Sequence, residues 1–172
     1  MGDGGEKVKL HVYDLTNGMA RSLSPMLLGR QIDGVWHTGV VVGGVEYFFG
    51  GGVHRCVAGQ TPFGTPMKVE DLGETHIPKE MREEMLADLS RRFTAEAYNL
   101  ITNNCNHFSS AWSELLTGSP IPQQYTGQAQ EILNSPIGGA RGGQMLLPMM
   151  SAMEQQLGGA TAAGFGQQPG GR

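Results

Sequence analysis

Cysteine is scarce: Cys56 and Cys105 are the only two in 172 residues. A disulfide framework of the kind that holds small secreted domains together is therefore excluded, and with nothing else pointing to secretion both are read as free thiols. Long apolar runs are missing as well. Met1 to Glu6 is polar and glycine-rich, without the apolar stretch of a signal peptide or a membrane span, and Glu6 stands where N-myristoylation needs Ser or Thr. The chain is expected to stay where it is made, cytoplasmic and nuclear, because 18.4 kDa permits passive exchange between the two. Basic runs are absent too: 12 Lys and Arg face 16 Asp and Glu, for a net charge of -4, which argues against nucleic acid as a partner. No C-x-x-C or H-x-x-x-H pair, nucleophile-elbow serine, P-loop or dinucleotide fingerprint occurs, and Gly50-Gly51-Gly52 lacks the Lys-Ser/Thr of a phosphate cradle. A metal site is not expected.

What is present reads as one domain of mixed α and β elements. Val8 to Leu15 is rich in β-favouring residues and ends at Thr16-Asn17-Gly18, so it is read as a strand. Ser24-Pro25 followed by Met26 to Leu28 and Gly29 suits a short helix with Ser24 as cap and Pro25 in the first turn. Trp36 to Val42 and Val45 to Phe49 flank Gly43-Gly44 and form the strongest hairpin signal, with Val53 to Val57 as a further short strand. Pro78 to Phe93 is read as a helix with an apolar stripe at Met81, Met85, Leu89 and Phe93. Phe108, Ala111, Trp112, Leu115 and Leu116 mark a second helix that starts after Asn103-Asn104 and stops at Gly118. Ala129 to Leu133 adds a short helix. Beyond Gly139 the chain is rich in Gly, Gln, Met and Ala and is expected to be disordered, with Met145 to Leu157 as a transient apolar helix.

Cys105 falls in the first turn of the second long helix. There the unpaired N–H groups and the positive end of the dipole favour a thiolate, lowering a cysteine pKa from its usual ~8.5, and the same N–H groups can hold an oxyanion. The opposing reading is a small buried apolar residue. His37, at the mouth of the buried strand Trp36 to Val42, is the base candidate, against a merely structural histidine and against His11, His54, His76 and His107 as competitors. His107 is a poor base, because positions i and i+2 of a helix point about 200° apart. Asn103 or Asn104 is either a helix cap or a second oxyanion donor, capping being preferred. Trp36 is placed beside the cleft, with ordinary core as its other reading.

Three segments carry a family resemblance: Val12-Tyr13-Asp14-Leu15, VWHTGVVVGGVEYFFGGGV from Val35 to Val53, and YNLITNNCNHFSSAWSELLTGSPIP from Tyr98 to Pro122. They resemble the PPPDE peptidases, also called desumoylating isopeptidases, over residues 7–139, leaving 1–6 as a flexible start and 140–172 as the tail. The resemblance implies an α+β, permuted papain-like cysteine peptidase fold, a small antiparallel sheet with packed helices, in which the histidine precedes the cysteine. It implies His37 and Cys105 as a catalytic dyad with no third carboxylate carried over, no cofactor, a homodimer, and hydrolysis of isopeptide bonds to SUMO or ubiquitin. A thioesterase removing palmitate from cysteine, with Met26 to Leu28 or the tail lining an apolar channel, is one alternative. A noncatalytic module binding ubiquitin-like proteins is another.

Overall fold

The computed structural model describes residues 4–135; the expectations placed on the tail and on Met145 to Leu157 lie outside them. The architecture is α+β. Five strands, β1 (Glu6–Asp14), β2 (Trp36–Val42), β3 (Val45–Phe49), β4 (Val53–Val57) and β5 (Lys68–Thr75), form one antiparallel sheet in the order β4-β3-β2-β1-β5. The helices are α1 (Met19–Leu28), α2 (Lys79–Ser90), α3 (Cys105–Thr117), α4 (Gln123–Thr126) and α5 (Gln128–Leu133).

The hairpin signal is borne out at residue level: Val42 pairs with Val45 across Gly43 and Gly44, whose φ of 59° and 74° only glycine adopts freely. Strand alternation then sorts the side chains. Val8, Leu10, Val12, Val40 and Val42 face α2 and α3, and Phe108, Trp112, Leu116, Leu86 and Leu89 close over them. Each large side chain buried there stabilises the fold by about 2 to 3 kcal/mol. His11, Tyr13, His37, Glu46 and Phe48 occupy the opposite alternation and meet one another on the other face. A second, smaller cluster of Leu15, Ala20, Leu28, Ile32, Val35 and Ile132 seals the end of the sheet where β2 begins.

Three expectations are corrected. The first helix starts at Met19 rather than Ser24, and Pro25 lies inside it. Ser24 does not cap it, because its hydroxyl is drawn inward to accept from the Ile32 N–H at 2.9 Å. The buried face of α2 is Arg82, Leu86 and Leu89, while Met81 is 53% exposed. A strict four-residue repeat drifts off a helix of 3.6 residues per turn, so Met81 alone of the predicted stripe turns to solvent: Met85 is partly buried against the core, Leu89 is buried, and Phe93 reaches the core from beyond the helix end. Strand β5 and helix α4 were not anticipated. In β5, Val69 and Leu72 break the two-residue alternation because Leu72 is skipped where the pairing with β1 shifts between Val8 and Lys9.

Candidate active site

Asn104 sets the beginning of α3. Its Oδ1 accepts from the N–H groups of Asn106 and His107 at 2.9 and 3.2 Å, and His107 Nδ1 in return accepts from the Asn104 N–H at 3.1 Å. This reciprocal cap makes Cys105 the first helical residue, 2% exposed. Capping is thus the role Asn104 takes, and its Nδ2 is committed to the Leu100 carbonyl at 2.7 Å. Asn103 is neither cap nor oxyanion donor: its Nδ2 ties down the carbonyls of Arg92 and Ala97. Burial pushes the His107 pKa down, keeping the ring neutral and its Nδ1 able to accept. Sequence spacing pointed His107 away from the chemistry, and the cap gives it a structural occupation.

His37 is fully buried on β2, opposite Tyr13 in the register. Aromatic rings wall it: Phe63 stacks on the imidazole with centroids 3.7 Å apart and planes 23° from parallel, and Phe48 and Tyr13 stand at 5.7 and 5.9 Å. Tyr13 is fixed in turn by donating to Glu46 Oε2 at 2.7 Å, while Oε1 of the same buried carboxylate takes His11 Nδ1 and the Gly59 N–H. Gly39, between His37 and Val41, leaves the room for this carboxylate, since a Cβ there would collide with it.

Asn106 joins the two elements. From the first turn of α3 it donates to the Trp36 carbonyl at 3.0 Å and accepts from the Thr38 hydroxyl at 2.8 Å, the residues on either side of His37. It also donates to the Tyr125 carbonyl. The residue after Cys105 is thereby bound to both chain neighbours of His37. On the far side, Leu100 and Ile101 before α3 and Phe63 border the same second cluster. Gln128 completes the frame: its amide accepts from the Trp36 N–H at 2.9 Å and donates to the Gly34 carbonyl at 2.8 Å. Trp36 is half-buried, edge-on to Tyr125, and walls a groove of about 590 Å³ that also contacts Met67, Arg21 and Lys68.

The remaining candidates sit elsewhere. Cys56 is buried on β4, and burial, with the Glu46 carboxylate nearby, pushes its pKa up to about 11, so it is a poor nucleophile at neutral pH. His54 bonds the Gly50 carbonyl and, with a pKa lowered by burial, stays neutral. Among the described residues no group of three or more His, Cys, Asp or Glu is placed to hold a metal ion, and no helix is long and apolar enough to cross a membrane. Asn106, Gln128 and Phe63 were not assigned roles by sequence reasoning. Asn106 alone had a signal, its place within the asparagine-rich block around Cys105.

Comparison with known proteins identifies the family. The sequence model described as the PPPDE putative peptidase domain matches residues 6–150. The chain is 43% identical over 159 residues to the Homo sapiens protein named desumoylating isopeptidase 1, covering 91% of this chain and 92% of the relative. The Rattus norvegicus protein of the same name is 42% identical over the same coverage. The Xenopus laevis protein of that name is 38% identical over 170 residues, 98% of this chain and 96% of the relative. The chain therefore belongs to the PPPDE peptidase family and is an enzyme of the cysteine peptidase and isopeptidase class.

Proposed function

We propose that this enzyme removes SUMO, or ubiquitin, from substrate lysines by thiol catalysis at Cys105 with His37 as its partner, on a permuted papain-like fold. The observation that carries the reading is the match, over nearly the whole length of both chains, to relatives named desumoylating isopeptidases. The local chemistry supports it. Cys105 opens a helix whose dipole favours a thiolate, the second cysteine is held as a thiol, and Asn106 binds α3 to both neighbours of His37.

In the proposed reaction the Cys105 thiolate attacks the carbonyl carbon of the terminal glycine, and the Cys105 N–H receives the developing oxyanion. The C–N bond then breaks as protonated His37 gives its proton to the leaving lysine amine. Water attacks the resulting thioester, losing a proton to His37, and the released thiolate restores the enzyme. The groove beside Trp36 is lined by Arg21, Arg30 and Lys68 together with Asp33 and Glu131, and by neither Cys105 nor His37. Homodimerisation belongs to the same proposal through the resemblance, and a cytoplasmic and nuclear location through the chain's size of 18.4 kDa. Sedimentation and imaging test these two.

The direct test presents purified enzyme with SUMO–lysine and ubiquitin–lysine isopeptide conjugates and with a palmitoyl-cysteine thioester. Cleavage of an isopeptide conjugate that disappears in Cys105→Ser and in His37→Ala supports the reading, and the preferred conjugate names the modifier. Hydrolysis of the fatty thioester alone would replace it with the depalmitoylase alternative. Stoichiometric modifier binding without turnover would replace it with the noncatalytic module.

A further inference from the structure

We propose that Phe63 is the positioning residue of His37, holding the imidazole in the plane it needs for proton transfer. This deepens the dyad reading above and rests on it. Phe63 belongs to the connection between β4 and β5, and its ring covers the imidazole at 3.7 Å between centroids with 23° between planes. A stack of this kind occupies the face of a ring and leaves the edge, which carries both nitrogens, to its other partners. Phe48 at 76° and Tyr13 at 51° meet the imidazole from other directions, so a turn of the His37 ring would collide with one wall or open a gap against another.

The connection carrying Phe63 is itself pinned. The Ala58 N–H donates to the Gly44 carbonyl at 3.0 Å and the Gly59 N–H to Glu46 at 3.0 Å, while the Met67 N–H donates to the Val12 carbonyl at 2.7 Å at the other end. The tip turns through Thr61 and Gly64, with Gly64 at φ 88°. Glu46, buried and held by Tyr13 and His11, therefore supports both Tyr13 beside His37 and the loop that delivers Phe63 to it. The strand fixes the backbone of His37, and Phe63 fixes its ring.

The test measures kcat and KM for the isopeptide conjugate with Phe63→Leu and Phe63→Tyr, checking each variant by thermal melting. In a Cys105→Ser background, the His37 ring proton signals are followed by NMR. Loss of orientation slows the chemical step more than binding, so Phe63→Leu is expected to lower kcat about 10-fold or more with KM within about 3-fold, and Phe63→Tyr to restore it. The His37 ring signals should lose their upfield stacking shift in Phe63→Leu and keep it in Phe63→Tyr. Should Phe63→Leu melt below the assay temperature, Phe63→Met, closer in volume, takes its place. A folded variant with unchanged or raised kcat would overturn the proposal, a rise identifying Phe63 as a cover instead. If His37→Ala retains wild-type activity the dyad reading itself has failed; if it is inactive while Phe63→Leu is unaffected, only the positioning role has.

Discussion

At the scale of single residues, two asparagines and a histidine fix the start of the helix that carries Cys105 and tie it to the strand that carries His37. Asn106 is buried and makes three hydrogen bonds to other elements. Its truncation leaves buried polar groups unpaired and is expected to cost about 2 to 4 kcal/mol. Asn106→Ala should therefore melt earlier and lose activity, and a denaturation curve beside an activity assay shows both. His107 gives the opposite split. His107→Ala removes half of a capping box and is expected to cost about 1 kcal/mol while isopeptide cleavage largely persists, with His107→Gln milder because glutamine can fill the same place. Inactivity of a folded His107→Ala would contradict the base role proposed for His37. Cys105 and His37 were legible as candidates because a helix start and a strand start leave local patterns. Asn106, Gln128 and Phe63 were not, since their partners lie far along the chain and no local spacing encodes them.

At the scale of elements, what decides the site is where β2 and α3 begin, and Asp14 anchors the first of these. From the end of β1 its carboxylate accepts from the Val35 N–H, from Thr16 through both N–H and hydroxyl, and from the Gly18 N–H. It thereby joins β1, the start of α1 and the turn into β2. Asp14→Ala is expected to lose about 2 kcal/mol or more, and Asp14→Asn less, in urea denaturation. Gly39→Ala drives a Cβ into the buried Glu46 carboxylate. It should destabilise the sheet and, through Tyr13 and the loop at Gly59, lower activity, measured as melting temperature and kcat together. The elements were read unevenly for physical reasons. Two-residue alternation and a Gly-Gly turn gave the hairpin its ends, and a cap followed by a 3.6-residue apolar pattern gave α3. Strand β5 sits at the sheet edge with a skipped residue and little apolar content, and α1 contains a proline that resembled a start signal.

At the scale of the molecule, the buried titratable groups set a pH window. His54 and His107 have pKa values lowered by burial, so below about pH 6.5 the unfolded chain takes up protons that the folded chain refuses, and stability falls. For Asp14, burial works upward but is outweighed by the donors of Val35, Thr16 and Gly18, leaving its pKa lowered. Its contribution is complete above about pH 4 and is lost as the pH drops below that. On the alkaline side the Cys56 pKa rises from 9.0 unfolded to about 11 folded, so stability declines as the pH rises between those values; Cys56→Ala should make that decline shallower, the remainder coming from Tyr13, Tyr47 and Tyr125, whose pKa values burial also raises. Chemical denaturation from pH 3 to 11 tests all three. Central to the proposed function is one thiol, Cys105, acting with His37. This pairing is tested by reacting the purified enzyme with SUMO and ubiquitin probes that end in a thiol-reactive electrophile, then mapping the adduct by mass spectrometry. One adduct is expected, on Cys105, absent in Cys105→Ser and strongly reduced in His37→Ala. An adduct on Cys56, or labelling of Cys105 that proceeds equally without His37, would contradict it.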